Sequence, residues 1–452
     1  MIDKFNSLVK SIDISKIKYK DENIWSIFRN RIGWNMVMEE YPSGVFTNSK
    51  KEHKLAVVKT FFMDIFKLPF YLRRYDYIYF TSFDDYRVVD GKNVNRLIHE
   101  FSLNIKDAKI LEIQSTLSLN KDSELSNINY ISNTFIIIFR LILSRFITIE
   151  PIDSIAKEFD KNGVYLNVNG TVKEYIAYKV LYKLLFKIIK PKMVVTTCYS
   201  HMLAIESAND LGIDTLEFQH GKISEHYAYT IKERIDSSFY PKYIALFGEE
   251  DRTYLNSSKY IKDKENIFLV GSMLVSYYSN KTNNKILSLR EQYSKIIAIT
   301  LQWTVLDEVI EYIKRESKLN KEYCFILIPR KKEELNSYTF DTNNIKIFLD
   351  LTCYEIVANS DYHLTVSSTC AHEAPSLGIK NIFYNIRNLS NISFGQYIKS
   401  NSFNLLLKPN QHISEIIDLD LDESKESIMN KNRDIIYPNY VDNINKMVED
   451  IL

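Results

Sequence analysis

The residues of this chain with the clearest chemical capacity stand in two short segments. The first is Glu217-Phe218-Gln219-His220-Gly221. An imidazole titrates near neutral pH, so His220 is able to take a proton from a hydroxyl. Gly221 lets the backbone turn tightly or come close to a ligand. A polar loop with a structural histidine accounts for the same residues. The second segment is Ser367-Ser368-Thr369, followed by Cys370-Ala371-His372-Glu373-Ala374-Pro375. Where a strand gives way to a helix, free N–H groups and clustered hydroxyls form a phosphate cradle. Ordinary helix capping also favours Ser and Thr, although three hydroxyls exceed what one cap uses.

Weaker candidates surround these two. Arg330, in Ile328-Pro329-Arg330-Lys331-Lys332, closes a strand and offers a cation to a nucleotide phosphate; Lys331 and Lys332 equally suit a solvated charge run. Gly248 and Gly271 each follow a strand candidate and suit either a ligand-facing turn or an ordinary one. Asp84 and Asp85 read as an exposed turn more readily than as an acceptor-sugar site. His226 is a second, weaker imidazole. Asp84-Asp85 lacks the surrounding DxD pattern of a metal-dependent nucleotide-sugar site, and no HExxH, CxxC, GxGxxG or GxxxxGK[ST] pattern occurs, so no required metal, dinucleotide cofactor or Walker-type ATP site is expected.

The elements that must position these residues follow a repeated grammar. Asp76–Ser82 and Ala108–Gln114 read as strands, and Asn127–Ile149 and Val172–Ile189 as long helices. Lys192–Thr197, a helix ending near Asn209, and Asp214–Phe218 make a strand–helix–strand unit that delivers the His220 loop at a strand end. In open α/β sheets that edge binds ligands. Further strands are expected at Tyr243–Phe247, Ile267–Val270, Lys295–Ile299, Tyr323–Ile328, Ile345–Phe348, His363–Val366 and Asn381–Tyr384. Helices fall between them at Glu249–Ser257, Val305–Lys314, Cys353–Ala358 and Thr369–Leu377. This predicts a second doubly wound sheet, with the boundary near Pro241. The domains are then 1–240, with a helical N-terminal region, 241–430, and a terminal helix over 431–452.

Composition narrows the function classes. The 452 residues are 45% hydrophobic and 25% charged, which suits a globular chain of two domains. Lys plus Arg number 58 and Asp plus Glu 57, so no bulk attraction to nucleic acid is expected. Four cysteines without paired spacing read as free thiols in a reducing cytoplasm. Phe135–Leu143 is the most apolar run, but Arg140 interrupts it and it is too short to span a bilayer. Lys51, Lys54 and Lys59 suggest peripheral attraction to anionic lipid, and so a cytoplasmic protein able to meet the inner face of the membrane.

The Phe218–Gly221 segment, the strand followed by Gly248-Glu249-Glu250-Asp251, and Ser367–Gly378 together resemble bacterial GT-B glycosyltransferases of surface-polysaccharide assembly. That broad set includes capsule and lipopolysaccharide glycosyltransferases, CMP-sugar transferases and teichoic-acid polymerases. The resemblance covers residues 190 to 385. It implies an α/β fold of two Rossmann-like domains facing across a cleft, the C-terminal one holding a nucleotide-sugar donor, a CMP-sugar among the options. The N-terminal one receives a glycan or lipid-linked acceptor. His220 matches the His-Gly base of teichoic-acid polymerases, with Glu217 to tune or position it. Ser367 and Ser368 match the serine pair of sialyltransferase-like enzymes, whose His-Pro motif keeps only Pro329 here. Glu373 resembles the acid of the donor helix that meets ribose or sugar. The implied reaction is inverting, metal-independent glycosyl transfer, with Arg330 compensating the departing charge. Transfer of polyol phosphate from a CDP-linked donor, epimerisation of a sugar nucleotide, and a non-catalytic scaffold remain alternatives.

Overall fold

The computed structural model describes residues 2–40, 50–115, 119–223, 226–233 and 237–452. The chain divides into two compact units. The first comprises Met1–Leu246, Glu250–Val270 and Val441–Leu452; the second comprises Phe247–Glu249 and Gly271–Tyr440.

The first unit is built on a seven-stranded sheet. Its strands are β1 (Tyr77–Ser82), β2 (Ile110–Ser115), β3 (Ile128–Ser132), β4 (Met193–Thr196), β5 (Asp214–Phe218), β6 (Tyr243–Leu246) and β7 (Ile267–Leu269). All pair in parallel, in the order β7-β6-β5-β4-β1-β2-β3. Tyr77 to Thr81 of β1 and all of β4 are buried, as expected of strands covered on both faces. Three of the helices matter below: α1 (Lys50–Ile65), α2 (Thr134–Phe146) and α3 (Val168–Ile189). Phe135 and Ile136 of α2, and Tyr182, Leu185, Phe186 and Ile189 of α3, share one core with Ile78, Phe80, Leu111, Ile113 and Val194 of the sheet. Each such fully buried side chain contributes roughly 1.5–3 kcal/mol relative to exposure.

The second unit carries six parallel strands: β8 (Lys295–Thr300), β9 (Tyr323–Ile328), β10 (Ile345–Ile347), β11 (Tyr362–Thr365), β12 (Lys380–Tyr384) and β13 (Asn404–Leu407). Their order is β10-β9-β8-β11-β12-β13. Both sheets therefore start in the middle, wind outward in one direction, then return to the first strand and wind the other way. That is the doubly wound Rossmann arrangement. Its point of reversal lies between β1 and β4 in one unit, and between β8 and β11 in the other. The diverging loops at the carboxyl ends of those strand pairs form the crevice where such sheets bind ligands.

Several sequence expectations change. Tyr243–Leu246 and Ile267–Leu269 extend the first sheet, beyond the boundary expected near Pro241. Pro241 precedes a strand rather than a linker, and a proline is compatible with a strand's start. The expected helix at Asn127–Ile149 divides in two. Ile128–Ser132 pairs with β2, and the helix starts only after Asn133. Strand β13 was not apparent from Asn404-Leu405-Leu406-Leu407, a short apolar run that suits a buried helix equally well.

Candidate functional site

At the first reversal point, β1 ends in a single turn of 3-10 helix, Phe83–Asp85. The turn carries Asp85 inward, where it is 0% exposed. One carboxylate oxygen, Oδ2, accepts from the Ser82 amide at 2.7 Å and from Thr197 Oγ1, just past β4, at 2.6 Å. The other, Oδ1, lies 2.9 Å from Nδ1 of His220, which follows β5. An ionised carboxylate only accepts, so Nδ1 carries the proton and Nε2 keeps its lone pair. The His220 side chain is 36% exposed and its partner is sealed from solvent. Burial alone pushes the Asp85 carboxyl up, but the bonds from His220, Thr197 and the Ser82 amide outweigh it and hold it below its ordinary value. A buried anion, an imidazole oriented by it and an Nε2 outside that bond are the parts that general-base chemistry uses.

The loop bearing His220 is tied down by its neighbours. The Gln219 amide continues the ladder to Ala245 O at 2.9 Å. Gln219 Nε2 donates to Gly221 O at 2.8 Å and to Asp251 Oδ2 at 2.5 Å, and the Ile223 amide donates to Asp251 Oδ1 at 3.2 Å. Arg96 Nη2 donates to the His220 carbonyl at 3.2 Å. Gly221 does not adopt a positive φ, and a Cβ there would meet nothing within 4 Å. It leaves open space beside the imidazole and is not required by the turn.

Glu217 does not assist His220. It is 0% exposed and accepts from Tyr229 OH at 2.8 Å and Tyr260 OH at 2.6 Å. Burial pushes its carboxyl up to about 7, against the lowering effect of those two bonds. Alternation along a strand sends neighbouring side chains to opposite faces, so proximity in sequence did not deliver proximity in space. Asp85 fills the role expected of Glu217, and it stands in the turn expected to be exposed. A second buried acid lies nearby: Glu112 Oε1 accepts from Thr81, Tyr86 and Gln114 at 2.6, 2.7 and 3.0 Å. Burial, joined by the Asp85 charge, raises its carboxyl to about 7 against the lowering effect of the three donors. His226 packs between tyrosines, 4.9 Å from the Tyr199 ring and 4.7 Å from the Tyr227 ring, and burial lowers it to about 4.

At the second reversal point the groups are neutral. Gln302, just past β8, donates from Nε2 to Ser367 Oγ at 2.9 Å and accepts from the Ser367 amide at 2.7 Å. Ser368 Oγ accepts from the Cys370 amide at 3.3 Å, and Thr369 is exposed. The three hydroxyls are thus brought to one strand end, but Ser367 is already engaged by Gln302 and Ser368 by the first amide of the helix that follows. The helix itself, Cys370–Ser376, has only seven residues. Arg330 is exposed just past β9, the strand beside β8, and its amide donates to Glu334 Oε2 at 3.0 Å. Glu373 accepts from Tyr354 OH at 2.5 Å.

Gly248 and Gly271 serve packing. A Cβ on Gly248 would stand 2.4 Å from the Asp434 and Ile435 carbonyls, and one on Gly271 2.2 Å from the Tyr437 carbonyl. Gly271 also has φ +84, which other residues rarely adopt. Among the described residues, no group of three His, Cys, Asp or Glu side chains is arranged to hold a metal ion.

No protein-family model and no curated protein matches the chain. Solved structures resemble it over most of its length. The S. aureus MnaA–UDP co-structure has 12% identity and TM-score 0.49, covering 83% of this chain and 95% of that one. UDP-GlcNAc 2-epimerase from Neisseria meningitidis, bound to UDP-GlcNAc, has 12% identity and TM-score 0.48, covering 83% and 99%. CalG4, the calicheamicin glycosyltransferase, has 10% identity and TM-score 0.47, covering 84% and 98%. Likenesses at this level assign no activity to the chain.

Proposed function

We propose that this chain transfers a sugar from a nucleotide-activated donor to a hydroxyl of a glycan or glycolipid. The observation that carries the reading is the Asp85–His220 pair at the reversal point of the first sheet. His220 Nε2 removes the proton of the attacking hydroxyl as the bond to the anomeric carbon forms. Asp85 holds the ring in the productive tautomer and stabilises the imidazolium that results. The nucleotide leaves with the electron pair of the broken glycosidic bond. Direct displacement inverts the anomeric centre. The neutral hydroxyls and amides at Ser367–Thr369 suit the donor's phosphate, and the exposed guanidinium of Arg330 suits the charge that develops on it. Gln302 joins this set, holding the Ser367 loop.

The test is a panel of UDP-, GDP-, CMP-, CDP- and dTDP-linked sugars, each with and without acceptor, followed by nucleotide release. The expected result is release that requires an acceptor hydroxyl and is lost in His220→Ala. Donor isomerised without acceptor would make the chain an epimerase. Donor binding without turnover would make it a scaffold.

A further inference from the structure

The helical layer on the first sheet has an unusual outer surface. Helices α1, α2 and α3 lie side by side: the Phe61 and Phe139 rings are 5.8 Å apart, and the Arg140 guanidinium lies 5.2 Å from the Tyr178 ring. Each leaves large apolar side chains in solvent at the spacing of one helical turn. These are Phe62 and Phe66 at α1, Ile142 and Phe146 at α2, and Leu184 and Ile188 on α3. Phe66 is 77% exposed and Phe146 79%. A soluble surface exposes such residues singly; three neighbouring helices doing so mark an interaction surface.

The charges nearby choose the partner. Lys59, Lys67, Arg145, Lys187 and Lys190 are all exposed. Over residues 57–67, 134–146 and 168–190 the carboxylates are Asp64, which is 4% exposed and bonded to Thr134 at 3.4 Å, and Glu174, which is neutralised by Arg31 at 3.2 Å and Arg140 at 3.1 Å. A symmetric contact with a second copy would set these cations against each other. An anionic lipid surface instead pairs with them while its acyl boundary receives the aromatic and aliphatic side chains. No helix among the described residues is long and apolar enough to cross a membrane, so contact would be from one side.

We propose that the α1–α2–α3 layer docks on anionic lipid. This is independent of the sugar chemistry proposed above. It moves the attraction expected at Lys51, Lys54 and Lys59 to a wider surface; of these, Lys59 is exposed, and the Lys51 and Lys54 side chains lie outside the described residues.

The test is co-sedimentation of the full chain with phosphatidylcholine vesicles, with and without phosphatidylglycerol. Binding is expected only with the anionic lipid, and should weaken as salt rises. Arg145→Glu combined with Lys187→Glu should lower partitioning roughly tenfold or more, because each cation is worth about fivefold near such a surface. Phe62→Ser combined with Phe146→Ser should also weaken binding, with circular dichroism and thermal unfolding unchanged. Absence of binding to anionic vesicles overturns the proposal, as does equal binding to neutral ones. So does a wild-type dimer that the Phe62/Phe146 variant dissociates without any loss of vesicle binding, which would assign the face to a second copy.

Discussion

The two sheets share a strand order and differ in what they place at its reversal. The first holds a sealed carboxylate, Asp85, against a half-open imidazole, His220, with Thr197 completing the anion's bonds. The second holds Gln302 against Ser367, an amide and a hydroxyl that move no proton near neutral pH. The same backbone topology therefore places a carboxylate–imidazole pair in one unit and an amide–hydroxyl pair in the other. The lesson is that topology decides where a ligand meets the sheet, and the residues just past the strand ends decide what happens there.

That contrast is broken most severely at His220. His220→Ala should lower turnover by about 10²–10⁴-fold while donor affinity stays within a small factor, measured by kcat and by nucleotide-sugar titration. Equal loss of both would remove the distinction between the two reversal points. Asp85→Asn should cost about 10²-fold or more in kcat, because the amide no longer enforces Nδ1–H. At the other sheet, Gln302→Ala should weaken donor binding about two- to tenfold, the worth of one or two hydrogen bonds, with kcat nearly unchanged. A larger effect on kcat than on binding would move chemistry to the second unit.

Smaller effects sharpen the picture of the first unit. Asp251→Ala leaves the Ile223 amide without its buried acceptor and takes one acceptor from Gln219 Nε2, which keeps the Gly221 carbonyl. It should cost about 2–4 kcal/mol in denaturant unfolding. Glu217 gives a pH signature. Its folded value, about 7, lies above the ordinary carboxylate range, so the folded state binds the proton more tightly than the unfolded one. Stability from this group is therefore full at low pH and is lost as pH rises towards and through about 7. Glu217→Gln should flatten that decline between pH 5 and 8, as read from thermal unfolding. An unchanged slope would remove Glu217 as its source.

Much of this was legible in the chain. The alternation of β-branched runs with helical segments predicts parallel sheets, and Asp214–Phe218 followed by a polar loop places His220 at a strand end. Asp85 was not legible as its partner. The two residues are 135 positions apart, and Phe83-Asp84-Asp85 has the polarity of an exposed turn. The signal lies in position: Asp85 closely follows β1, the strand at which the order reverses. Gln302 escaped for the same reason, 65 residues from Ser367 and in no recognisable motif. Glu217 misled because nearness in sequence suggested contact, where its oxygens in fact meet Tyr229 and Tyr260.

The most direct test of the central claim, that Asp85 acts through His220, is a double-mutant cycle on kcat with Asp85→Asn, His220→Ala and the two combined. If Asp85 works only by orienting and charging the imidazole, removing it from an enzyme that already lacks His220 should cost nothing further. The account predicts a double variant no slower than His220→Ala alone. Losses that multiply, each substitution exacting its full effect in the presence of the other, would contradict it.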